Sequence, residues 1–119
     1  MGISSFTQLD VWKIAHRITL SVYKTTRGFP DDERFGLTSQ ARKAAVSVAA
    51  NIAEGFGRRQ PRDKMRFYNM SQGSLEELRY YFILAKDLGY SVFPGSVHED
   101  AKELGAKLNR LIDVIARDV

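Results

Sequence analysis

Residues 38–56 read TSQARKAAVSVAANIAEGF, and the fold turns on this stretch. At 100° per residue, Gln40, Lys43, Ser47, Asn51 and Glu54 form one narrow polar stripe. Apolar and small residues fill the rest of the circumference, an arc much wider than the roughly 100° stripe of a surface helix. The segment therefore predicts a helix that lies deep in its own bundle or touches a second subunit. Ala41, Ala44, Ala45, Ala49, Ala50 and Ala53 allow neighbouring helix axes to approach closely. Thr38 or Ser39 is placed as the N-cap. Arg42 projects from the side that carries Val46, Ala49 and Ala53, where a cation needs a partner. Arg42, Val46, Ala49 and Ala53 are accordingly the candidate oligomer interface.

On the N-terminal side, helical period runs from about Thr7 to Arg27. Val11, Trp12, Ala15, Ile18, Thr19 and Val22 share one arc, and Asp10, Lys13, Arg17 and Lys24 the opposite one. Thr7 is the expected cap, and Gly28-Phe29-Pro30 ends the helix. On the C-terminal side, Pro61 suits a first helical turn. The third helix then extends to about Leu88, before Gly89, with Phe67, Met70, Ser71, Ser74, Leu78, Tyr81, Phe82, Ala85 and Leu88 on one face. From about Ser96 to Arg117, Val97, Ala101, Leu104, Leu108, Leu111 and Ile115 are spaced 4, 3, 4, 3, 4, a near-heptad seam. Four helices joined by short loops predict an all-α, antiparallel up-down-up-down four-helix bundle, a single domain over residues 1–119.

The chain has 119 residues, no Cys, two His and a net charge of +4. That length suits one domain. No apolar run approaches the roughly 20 residues of a membrane-spanning helix, and the start has neither the basic nor the apolar region of a signal peptide. Without Cys there are no disulfides or thiolate metal sites, which fits a cytoplasmic protein. The charge is concentrated. Residues 58–66 read RRQPRDKMR, five cations against one anion, a net +4 in nine residues. Residues 87–119 hold four cations and six anions, a net −2. A polyanion would be drawn to the basic end.

Motifs for catalysis are missing. There is no phosphate-binding P-loop and no nucleophile elbow. Neither His16 nor His98 follows a Glu at the spacing of a di-metal bundle site, and neither follows an Arg at the four-to-six-residue spacing of one class of helical ribonucleases. No metal, cofactor or enzymatic activity is expected. Asn51 and Glu54, three apart on one helix face, read as a structural polar pair that satisfies a loop backbone or a neighbouring Arg. Ser71 and Ser74 read as packing spacers. The best functional signal is the basic run: Arg58, Arg59, Arg62, Lys64 and Arg66 are the candidate nucleic-acid-binding residues, because guanidinium forks match phosphate oxygens. Few aromatic residues interleave them, so binding should read backbone or shape rather than base identity.

Several blocks resemble one bacterial family: residues 36–40 (GLTSQ) with 47–55 (SVAANIAEG), residues 9–12 (LDVW), residues 73–78 (GSLEEL) and residues 84–90 (LAKDLGY). It is the four-helix-bundle family whose members include proteins encoded in intervening sequences of large-subunit ribosomal RNA genes. The likeness covers nearly the whole chain, with one departure at Ala49, where the family often has Pro. The resemblance implies a cytosolic, non-enzymatic, ring-like homopentamer. It also implies kinship with the accessory variability determinant of diversity-generating retroelements, which binds nucleic acid and a reverse transcriptase. The expected partners are therefore further copies of the chain and nucleic acid, RNA favoured, with a reverse transcriptase or another protein as a further candidate. Two alternatives stay open at this level: a homo-oligomeric protein adaptor, and a small-molecule binder in the ring channel or between helices.

Overall fold

The computed structural model describes residues 2–119. Four helices, α1 (Asp10–Thr26), α2 (Leu37–Gly57), α3 (Pro61–Asp87) and α4 (Gly95–Ala116), form a bundle, and there is no strand among the described residues. Contacts between neighbours run in opposite senses along the chain. Thr19 meets Ala45 and Thr26 meets Arg42; Ser47 meets Ser74 and Gly55 meets Lys64. Gln72 meets Gly105, Phe82 meets His98, and Arg17 meets Asp100. Each helix is thus antiparallel to its neighbours, and α4 returns to α1 to close the bundle. The α1–α3 and α2–α4 diagonals make no comparable approach among the described residues.

The core follows from the apolar periods. Val11, Ile14, Ala15, Ile18 and Val22 of α1 meet Ala41, Ala44, Ala45, Val48 and Ile52 of α2, and Val97, Ala101, Leu104 and Leu108 of α4 complete it. On α3 the predicted face needs correction. Met70 and Leu88 are 46% and 49% exposed, whereas Tyr68 and Leu75 are buried. The reason is geometric. Met70 and Leu88 lie roughly 110° from the mean direction of the buried α3 residues at 100° per residue, and α2 and α4 set that direction together. At the end opposite the α2–α3 turn, Phe29, Phe82, Phe93 and Tyr90 form an aromatic plug, with Phe82 and Phe93 centroids 4.4 Å apart.

Two expected caps are also corrected. Thr7 does not cap α1. It lies in a 3₁₀ turn (Phe6–Gln8) that Ser5 caps: Ser5 Oγ accepts from the Thr7 N–H at 3.2 Å, and Gln8 Oε1 accepts from the Ser5 N–H at 3.1 Å. Neither Thr38 nor Ser39 caps α2. Gly36 stands at the N-cap, and Glu33 Oε1, reaching from a second 3₁₀ turn (Asp31–Glu33), accepts from the Leu37 N–H at 3.0 Å. Glu33 Oε2 accepts the Tyr90 hydroxyl at 2.8 Å, so one carboxylate ties the α1–α2 loop to the α3–α4 connection. The Leu37 N–H, followed by Tyr90, holds the Glu33 carboxyl below its ordinary range; the same bond holds the Tyr90 phenol above its own.

Helices α2 and α3 pack tightly along a polar seam. Buried Ser71 donates from Oγ to the Val48 carbonyl at 2.7 Å, and the Ser47 and Ser74 hydroxyls share a hydrogen bond of 2.8 Å. Near the turn, the backbone of Gly55 faces the ring of buried Tyr68. A Cβ at Gly55 would stand 2.6 Å from Tyr68 Cε1, inside any real contact. Gly55→Ala should therefore destabilise the fold by roughly 1–3 kcal/mol, as overpacking does, despite the better helix propensity of Ala. Urea denaturation checks this: an unchanged or raised stability would mean that the ring yields and the approach is not tight.

Candidate nucleic-acid interface

Three residues, Arg58, Arg59 and Gln60, join α2 to α3. Arg58 leaves the helical conformation (φ −83°, ψ 143°) and Pro61 opens α3. The turn is short because Gly55 and Tyr68 bring the two helices together just behind it. The basic run predicted from sequence is thereby folded round one end of the bundle, with two cations in the turn and three on α3.

The five cations do not play one role. Lys64 Nζ donates to the Gly55 and Phe56 carbonyls at 3.1 and 3.0 Å. It thus satisfies two end carbonyls of α2, where the helix dipole favours positive charge. Its ammonium is spent on the fold rather than offered to solvent. Arg58 is held by Glu54 at 3.1 Å, an i,i+4 pair, and its guanidinium lies over the Phe67 ring, 4.7 Å from the centroid. Arg66 lies over the same ring at 4.5 Å and only loosely faces Asp63, at 3.8 Å. Arg59 and Arg62 are exposed and pair with no carboxylate among the described residues. An open cleft beside Arg62 is lined by Gln60, Pro61, Asp63, Asp118 and Val119, so the end of α4 borders the basic turn. The arrangement offers two free guanidiniums, flanked by two more that Phe67 orients.

The other predicted site residues separate. Asn51 and Glu54 do not interact as a pair. Asn51 Nδ2 donates to the Ser47 carbonyl and hydroxyl at 2.9 and 3.0 Å, and so joins the α2–α3 seam, while Glu54 belongs to Arg58. Arg42 finds its partners within the chain. Its Nε donates to Thr26 Oγ1 at 2.9 Å, and its guanidinium lies 4.6 Å from the Tyr23 ring centroid, at the C-terminal end of α1. Its position therefore does not demand a second subunit. Val46 is 44% exposed, and Ala49 and Ala53 are half-buried. Val46 and Arg42 line an open cleft with exposed Tyr23 and Phe35. Arg17, expected on a solvated stripe, instead makes a two-point bond to Asp100 of α4 at 2.9 and 3.0 Å. Lys107 joins Asp10 across the same pair of helices.

Sequence reasoning missed Phe67 as the support for Arg58 and Arg66, and Lys64 as a cap. The Glu54/Arg58 spacing was a readable signal for the first pair; nothing local marks Lys64, whose acceptors lie eight and nine residues back across a turn.

Residues 7–117 match the model of the 23S rRNA-intervening sequence protein family, and the chain belongs to that family. No curated protein matches it.

If Lys64 is a cap, Lys64→Met lowers stability by on the order of 1 kcal/mol. Arg59→Ala should stay within about 0.5 kcal/mol of the parent. Thermal and urea denaturation of the two variants checks this; equal effects would remove Lys64 from the fold and return it to the phosphate-binding set.

Proposed function

We propose that this member of the 23S rRNA-intervening sequence protein family is a non-enzymatic, cytoplasmic homo-oligomer that holds nucleic acid, RNA ahead of DNA, through the turn between α2 and α3. The single observation that carries the reading is the pair of exposed, uncompensated guanidiniums, Arg59 and Arg62, beside Arg58 and Arg66 stacked on Phe67. Guanidinium forks bind phosphate at two points, and ring-stacked arginines lose less freedom when they do so. Membership of a family named for intervening sequences of 23S ribosomal RNA is consistent with RNA as the polyanion.

Assembly is the second element of the proposal. The cleft between α1 and the start of α2 leaves Phe35 87% and Val46 44% exposed beside Tyr23, an apolar display on one side of the bundle. A ring of copies, five in the reading that the family resemblance implies, would cover such a surface and repeat the basic turn at each protomer. Several weak phosphate contacts then act together.

Light scattering at micromolar protein should give several times the 13.5 kDa chain mass. In fluorescence anisotropy with RNA, affinity should fall with salt at a log–log slope of roughly −0.7 to −0.9 per phosphate contact. Arg59→Ala with Arg62→Ala should weaken binding to unrelated sequences alike and flatten that slope, because phosphate contacts carry no base code. Lys13→Ala is the control; Arg17 is unsuitable because it holds Asp100. Failure of the intact assembly to bind any RNA at low salt would end the nucleic-acid reading in favour of a protein adaptor.

A further inference from the structure

Proteins that hold single strands stack unpaired bases on free aromatic faces, whereas proteins that hold duplexes track the phosphate backbone. The aromatic rings at the basic end are already in use. Phe67 lies under the guanidiniums of Arg58 and Arg66. Phe56 is half-buried and faces Lys64, and Tyr68 is buried against Gly55. At the α1 start, Phe6 packs edge-on to Trp12, and Trp12 stacks on His16 at 4.9 Å. The open rings lie outside the basic end. Phe35 and Tyr23 lie at the opposite end of the bundle, and Tyr80, 56% exposed, is on the same face of α3 as Arg62 but 18 residues beyond it, about 27 Å along the helix at 1.5 Å per residue and about 10 Å past Gly73.

A second observation concerns α3 itself. Arg62, Arg66, Asn69 and Gly73 are all exposed and fall within an arc of about 60° at 3.6 residues per turn. No carboxylate interrupts that line. Gly73 stands in the middle of α3, where glycine weakens a helix. A Cβ there would meet nothing within 4 Å, so the fold itself does not require glycine at this position. An absent side chain on an exposed face matters where an outside surface comes close.

We infer that the outward face of α3 from Arg62 to Gly73 is a track for base-paired nucleic acid, held by its phosphate backbone with Gly73 as the point of nearest approach. This rests on the nucleic-acid reading above and narrows it to duplexes. Arg62 and Arg66 supply successive contacts one helical turn apart, and Asn69 supplies an amide donor further along.

The test is anisotropy of the intact assembly with three labelled probes at one salt concentration: a blunt RNA duplex, a DNA duplex of the same sequence and single-stranded oligouridine. The RNA duplex should bind about tenfold or more tightly than oligouridine, since no ring between Arg58 and Gly73 is free to stack bases. Asn69→Glu should cost about tenfold in duplex affinity by placing a carboxylate against phosphate, with an unchanged melting temperature. Gly73→Ala should raise the melting temperature yet weaken duplex binding, at unchanged oligomer mass. Oligouridine binding as tightly as the duplex, or duplex binding indifferent to both variants, would overturn the track while leaving nucleic-acid binding intact. Binding to none of the three probes would overturn the underlying reading and the track with it. DNA duplex bound as tightly as RNA duplex would support the track and remove only the preference for RNA.

Discussion

Helices α2 and α3 lie so close that a hydroxyl on one reaches the backbone of the other, Ser71 to the Val48 carbonyl at 2.7 Å. Much else depends on that approach. It calls for a small residue in each of three contacts, where Ser47, Val48 and Gly55 of α2 oppose Ser74, Ser71 and Tyr68 of α3. It limits the connection to three residues. It also brings Lys64 under the end of α2, where the ammonium donates to the Gly55 and Phe56 carbonyls, the first of them shared with the Arg58 N–H. The guanidiniums left over then face outward, because no room or acceptor remains for them inside. Their display is thus a consequence of tight packing behind the turn.

The periods of α1 and α4 were legible because each buries one clean stripe, so apolar spacing alone places Val11 to Val22 and Val97 to Leu108. The family was legible in the α2 block from Gly36 to Gly55, and the matched model confirms it. What escaped a one-dimensional reading shares a cause: the deciding partner is remote in sequence. Glu33 displaces Thr38 and Ser39 as the α2 cap because Tyr90, 57 residues on, fixes its carboxylate. Met70 and Leu88 reach solvent because α2 and α4 together set the direction in which α3 faces. The basic run was visible as composition, but its division into a cap, two stacked arginines and two free ones needed the turn in three dimensions.

Charge is arranged by the same logic. Between α1 and α4, Arg17–Asp100 and Lys107–Asp10 pair opposite charges across the helix boundary, and both acids are matched within the chain. Such exposed pairs contribute little stability each, but they leave that side of the bundle nearly neutral. The α2–α3 end keeps an excess of cations. In the proposed function the charged end would meet the polyanion and the apolar surface the other copies, so assembly and nucleic-acid binding would not compete for the same residues.

The account's central claim is that binding belongs to the α2–α3 turn and the adjoining face of α3. Backbone amide chemical shifts, followed by NMR while an RNA duplex is titrated into the assembly, test it most directly. The account predicts shifts concentrated between residues 58 and 73, with amides around Tyr23, Phe35 and Val46 unmoved. Shifts concentrated at that opposite end, with the turn silent, would contradict it.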